Sequence, residues 1–124
     1  MARPLKIVVS GYLVGFPMGG MAWMLGHWLL GLKRLGHELF FLEDAGDWTY
    51  PFNPRTRDFG ADSEYGRGVL KDFLAHLGLD IPWSYRSGLE KRSFGAGEQE
   101  VAAWFASCDM FLNISGIIPL REIY

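Results

Sequence analysis

Apolar and polar residues alternate in blocks along this chain, and each block has its own period. Lys6-Ile7-Val8-Val9-Ser10 is a β-branched run that reads as a strand over 5–11, of the kind buried on both faces of a sheet. Residues 20–35 form a long apolar run of helical length, closed by Gly36 in the position of a left-handed C-cap. A very short connection leads to Glu38–Leu42, whose Leu39-Phe40-Phe41-Leu42 core predicts a second buried strand. Such a β-α-β unit is right-handed and makes its two strands parallel. Residues 43–63 show no periodicity and contain prolines, glycines and aromatics, so they read as one long loop, a length often tied to function. Ser63 reads as the N-cap of a second helix over 64–77, with Val69, Leu70, Phe73, Leu74 and Leu77 on its inward face and Gly78 at its end. Trp83-Ser84-Tyr85-Arg86 reads as a short strand, and 87–97 as a polar, glycine-containing stretch. A third helix over 98–107 turns Val101, Trp104 and Phe105 inward, and a last strand over 110–115 stops at Gly116. The expected fold is α/β and Rossmann-like: a three-layer α/β/α sandwich with a mostly parallel, rather thin sheet, one domain over 1–124.

Composition narrows the class. A length of 124 residues fits one domain, and 49% hydrophobic residues suffice for a sizeable core. A net charge of −2 gives no bulk attraction to nucleic acid or to an anionic membrane, so neither is expected as a partner. The single cysteine, Cys108, cannot form an internal disulfide and sits in an apolar helical stretch, where it reads as a small buried hydrophobe. This cysteine usage suits a reducing compartment, and a cytoplasmic location is expected. Residues 7–32 contain no Asp, Glu, Lys or Arg, which raises a membrane span or a signal peptide. Pro17, Gly19 and Gly20 break that run into a strand part and a helix part, which favours two covered elements inside a domain.

Between the first strand and the first helix lies Gly11-Tyr-Leu-Val-Gly-Phe-Pro-Met-Gly-Gly20. Glycines at such a junction let the chain bend sharply and let a ligand approach the free amides of the helix N-terminus. In open α/β sheets this crevice, beyond the carboxyl ends of the strands, is where ligands bind. The loop has no Gly-Lys-Ser or Gly-Lys-Thr, and its glycines lack the G-x-G-x-x-G spacing of dinucleotide sites. Phe16, Pro17, Met18, Gly19 and Gly20 are its candidate binding residues. Glu43, Asp44 and Asp47 follow the second strand, where an acid in a dinucleotide fold binds a ribose. They could equally cap turns of a solvated loop, and Trp48 and Tyr50 beside them offer stacking faces or pack on their own loop. Asn113, Ser115 and Gly116 end the last strand on the same side, and serve either the crevice or their own turn. His27, His37 and His76 read as structural, and no spacing supports a metal site or a nucleophilic triad.

Pro17-Met18-Gly19-Gly20, the apolar helix, and Leu35-Gly36-His37-Glu38-Leu39 together resemble the opening strand–loop–helix–strand of GT-B glycosyltransferases. Phe41-Leu-Glu-Asp-Ala-Gly-Asp-Trp48 and Leu112-Asn-Ile-Ser-Gly116 are similar in texture to segments of a bacterial group of glycosyltransferase-like proteins. The resemblance covers most of the chain but only the first part of that fold. It implies a longer protein whose nucleotide-binding C-terminal domain is absent here, or a partner chain in its place. This half would shape the acceptor side of a cleft for transfer from a nucleotide-sugar donor, with that donor as substrate and no separate cofactor. Alone it would be inactive. The resemblance supplies no histidine base, because Met24 and Leu25 stand where related sequences place one; within it, Glu43, Asp44 and Asp47 could bind sugar hydroxyls or serve as a base. Two alternatives remain beside it: a non-catalytic nucleotide- or partner-binding module, and an NAD(P)-type domain using the acid after strand two.

Overall fold

The computed structural model describes residues 3–124 apart from 48, 115 and 117. Strand β1 (Lys6–Ser10) is the heart of the sheet, with Ile7, Val8, Val9 and Ser10 all buried. It pairs in parallel with β2 (Glu38–Asp44) on one side and with β7 (Met110–Asn113) on the other. Outside β2 lies a third parallel neighbour, β5 (Trp83–Ser87), and β6 (Arg92–Gly95) returns antiparallel along it. The five-stranded order is β6-β5-β2-β1-β7. The chain therefore moves outward from β1 through β2 to β5, then crosses back to the far side of β1. That reversal is a topological switch point, and it falls between β1 and β7.

Side chains alternate across the pleat, so each strand feeds two cores. Ile7, Val9, Leu39 and Phe41 meet Leu25 and Leu29 of α1 (Gly19–Arg34) and Leu70 and Leu74 of α2 (Glu64–His76). Val8, Phe40 and Leu42 face the other way and meet Val101 and Trp104 of α3 (Glu98–Ser107). Three layers result, with α1 and α2 on one face and α3 on the other. The amino edge is tied by Asp109, which accepts the Lys6 N–H at 2.8 Å and pairs with Arg3 at 2.7 Å. These contacts, the Arg3 bond foremost, hold the Asp109 carboxyl down at about 2. His37 belongs to the same edge, where its Nδ1 accepts the Leu5 N–H at 2.9 Å. No helix among the described residues is long and apolar enough to cross a membrane.

The first β-α-β unit and the third helix fall where the apolar blocks placed them, and the last strand starts where expected but ends at Asn113. Four further details differ. Strand β2 runs on to Asp44, so Glu43 and Asp44 belong to the sheet and not to the loop. The long loop contains a hairpin, β3 (Phe52–Asn53) with β4 (Asp58–Phe59). Its turn forms because Asn53 Oδ1 accepts the Arg55 N–H at 2.9 Å and Arg57 takes a left-handed φ of 59°. The polar stretch after β5 contains the edge strand β6, whose residues are too exposed to show an apolar alternation. Ser63 does not cap α2 with its side chain; Asp62 Oδ1 accepts the Glu64 N–H instead, and Ser63 Oγ bonds Glu90.

Helix α2 approaches the strand–helix junction so closely that a Cβ on Gly66 would stand 2.1 Å from the Val14 carbonyl oxygen. A backbone atom cannot swing aside as a side chain can. Gly66→Ala is therefore expected to destabilise the chain by roughly 1–3 kcal/mol. Gly68→Ala, two residues on with open space around it, should be neutral or gain up to about 1 kcal/mol of helix propensity. Urea unfolding of the two variants beside the parent checks the contrast.

Candidate functional site

Strand β2 ends in two adjacent carboxylates that the pleat sends to opposite faces. Glu43 shares the face of Phe41, under the junction loop that precedes α1. It is 1% exposed, and its carboxylate accepts three consecutive backbone N–H groups, from Leu13, Val14 and Gly15, each at 2.8 Å. Burial pushes the Glu43 carboxyl up, the three amides pull it back, and the balance leaves it raised to about 7. Tyr85 lies beside Glu43 in the register and is fully buried, its hydroxyl without a partner among the described residues. Burial and the neighbouring Glu43 raise that phenol well above its usual range.

The loop held this way continues into an aromatic stack. Phe16 lies 5.2 Å from Phe52 and Phe52 lies 5.0 Å from Phe59, ring centre to ring centre. The hairpin is fastened to the loop by the Phe52 N–H donating to Gly15 O at 2.8 Å. Pro17 is buried, while Met18, Gly19 and Gly20 are exposed at the start of α1. A Cβ on either glycine would meet open space, no side chain caps this end, and its first turn holds no acid. The helix thus presents its positive pole toward the carboxyl ends of β1 and β7 without an internal counter-charge. Across the switch point, Asn113 Oδ1 accepts from Ser10 Oγ at 3.1 Å and from the Gly116 N–H at 3.0 Å. Asn113 thereby links β1 to the turn after β7. Trp48 and Ser115 lie outside the described residues.

Asp44 faces the α3 side. Its side chain has no exposure and is held by Arg121 Nε at 2.5 Å, Tyr124 Oη at 2.5 Å and the Gly46 N–H at 2.9 Å. Burial raises this carboxyl, but the Arg121, Tyr124 and Gly46 bonds outweigh it and leave it below the ordinary range. Neither Glu43 nor Asp44 is free to meet a ribose. Asp47 is different: its side chain is 67% exposed and its Oδ1 stands 3.5 Å from Arg86 Nη1.

Of the sequence-derived candidates among the described residues, Asp47 lines a hollow of 330 Å³ that it shares with Arg86, Lys91 and Arg92. A second hollow of 310 Å³ lies between the α3 face of the sheet and residues 121–124, with Arg86, Leu42 and Val101 in its wall. Sequence reasoning passed over Arg86, Lys91, Arg92 and Arg121. The available signal was Lys91-Arg92 in a turn shortly after the Trp83 strand, on the carboxyl edge. The histidines supply no base here: His27 and His76 are exposed on helices, and His37 is at the amino edge. Among the described residues, no cluster of three or more His, Cys, Asp or Glu side chains could hold a metal ion. Comparison with known protein families, with curated proteins and with solved structures finds no match.

The Glu43 contacts yield a pH prediction whose sign follows from the raised pKa. The folded chain binds a proton at Glu43 up to about pH 7, whereas the unfolded chain releases it near the ordinary value of 4.5. The stability that this proton contributes is full below about 4.5 and is lost as pH rises through about 7. The expected loss is at most about 3 kcal/mol. Glu43→Gln should abolish that slope. It should also lower stability throughout, because an amide nitrogen turned to the Gly15 N–H cannot accept it. Denaturant unfolding from pH 4.5 to 8 measures both effects.

Proposed function

We propose that this chain is the acceptor-side, N-terminal half of a GT-B-type glycosyltransferase, which works on a nucleotide-sugar donor only together with a second, nucleotide-binding domain. The observation that carries this reading is the switch point itself. Strand order reverses between β1 and β7, and the uncapped Gly19-Gly20 start of α1 opens at that reversal. In open α/β sheets, the crevice at such a point is the ligand site. Phe16, Pro17 and Met18 would form its rim, with the Phe52 and Phe59 rings behind them as an apolar wall. Asn113 and Gly116 would border it from β7. Support comes also from the Pro17–Gly20 and Gly36–Leu39 patterns and from the preorganised loop. Glu43 and Gly66 fix that loop before any ligand arrives, so binding need not order it.

A partner-binding module is the second reading, favoured by the outer face of α1. Trp23, Met24, Trp28 and Leu35 are exposed there, Leu35 by 74%. Strand β7 also ends the sheet with an unpaired edge. Sedimentation velocity is expected to show a monomer for the transferase half; a tight dimer would favour the module.

The transferase reading predicts no turnover of uridine or guanosine diphosphate sugars by the isolated chain. Amide shifts on adding those sugars, or a panel of monosaccharide acceptors, should concentrate at Gly19, Gly20, Asn113 and Gly116. Shifts confined to other regions overturn it. Gly20→Asp is expected to weaken binding of a phosphate-bearing ligand several-fold by placing a carboxylate at the helix start. The same change should raise thermal stability slightly, since an acid in the first turn favours the helix.

A further inference from the structure

Arg86 places a guanidinium inside the sheet. It sits on β5, on the α3 side, and its side chain is 27% exposed. Its Nη1 is buried and has no hydrogen-bond partner among the described residues. Three carboxylates surround it, and all stand off: Asp47 Oδ1 at 3.5 Å and Asp44 Oδ1 at 3.6 Å from Nη1, and Glu98 Oε1 at 3.9 Å from Nε. Asp44 is already committed to Arg121 and Tyr124. The charge is thus paired at 3.5–3.9 Å, but the buried Nη1 makes no hydrogen bond, and an unmade bond of this kind costs roughly 1–3 kcal/mol or more, which a ligand accepting from Nη1 would recover.

The space for that partner is the 330 Å³ hollow at the carboxyl end of β5. Lys91 and Arg92 line it together with Arg86, while Asp47 and Glu98 supply the carboxylates in its wall among the described residues. Lys91 reaches this position through a left-handed φ of 55°, a conformation that costs a non-glycine residue energy. Arg92 is steadied by stacking on Phe94, its guanidinium carbon 4.3 Å from the ring centre. Three cations, drawn from β5, the turn after it and the start of β6, converge on one hollow at the ligand edge of the sheet. A planar guanidinium suits a tetrahedral or planar oxyanion, which it can grip with two parallel bonds.

We propose that Arg86, Lys91 and Arg92 form a binding site for a phosphate group, carried by a small molecule that fills the rest of the hollow. Arg86 supplies the buried hydrogen bonds and Lys91 and Arg92 the outer charge. Asp47 and Glu98 act against an anion and set the affinity, giving a weak site with inorganic phosphate alone. This site is separate from the switch-point crevice and does not depend on the transferase reading; both can stand, or either can fail alone.

Calorimetric titration with inorganic phosphate and, separately, with a sugar phosphate tests the assignment, with sodium chloride at matched ionic strength as the control. The expected result is saturable binding of phosphate that chloride does not reproduce, and tighter binding of the sugar phosphate. Arg86→Met should weaken it by about tenfold or more. Because Arg86 touches the Asp44 network, Lys91→Gly serves as the second variant: glycine suits its backbone, so the fold is kept while binding falls several-fold. Asp47→Asn removes the carboxylate nearest Arg86 and should strengthen phosphate binding several-fold. Overturning results are no saturable binding of either probe, binding equalled by chloride, affinity unchanged in Lys91→Gly, or affinity lowered in Asp47→Asn.

Discussion

The carboxylate of Glu43 is the constraint on which the ligand edge of this fold depends. One side chain gathers three successive amides of the chain between β1 and α1, at 2.8 Å each. Without it, a glycine-containing turn of this length would have no internal reason to hold a single shape, because buried backbone N–H groups need acceptors and the sheet offers none there. The amides are satisfied only if the loop folds over the end of β2. That places Val14 O against Gly66 and fixes the approach of α2. It also leaves Gly15 O positioned to accept from Phe52, which anchors the β3–β4 hairpin. Loop, second helix and hairpin thus share one anchor, and the cost of burying a carboxyl is accepted at that point.

The pleat of β2 explains why its last two acids do different work. Adjacent residues of a strand point to opposite faces. Glu43 therefore serves the α1–α2 side, and Asp44 serves the α3 side, where Arg121 and Tyr124 close over it. Two carboxylates that look like a pair in sequence are separated by the thickness of the sheet, and each is consumed by structure. What stays open at the carboxyl edge is therefore the helix start at Gly19-Gly20 and the cationic hollow around Arg86. The first is at the reversal of strand order, and the second lies two strands away on β5.

Helix α1 carries an unusual load for an outer helix. Its inner face, Ala22, Leu25, Gly26 and Leu29, is buried, and a Cβ at Gly26 would press on the Phe73 ring at 2.7 Å, so the glycine lets α1 and α2 close on each other. Its outer face is also apolar, with Trp23 and Trp28 about half exposed. An apolar run through both faces of one helix is what made residues 7–32 resemble a membrane segment. The fold resolves it as a buried strand and a helix covered on one side.

How much of this was legible depended on whether a signal was local. The β-branched run Lys6–Ser10, the Leu39–Leu42 run, the capping Gly36 and the 3.6-residue stripe of α2 each declare an element within a few residues, so the sequence by itself determined a βα-rich, mostly parallel architecture. It also pointed to the Gly15–Gly20 junction, since glycines before an apolar helix have a local backbone consequence. Strand β6 and the β3–β4 hairpin left no such mark, because exposed edge residues carry no apolar alternation and their pairing is decided by partners far along the chain. Only the tertiary structure decided the strand order that creates the switch point. The same holds for the opposite fates of Glu43 and Asp44, and for the meeting of Arg86 with Lys91 and Arg92 around one hollow. Each of these is a relation between distant residues, set by which face of a strand a side chain occupies and what packs above it, and no window of sequence contains both partners.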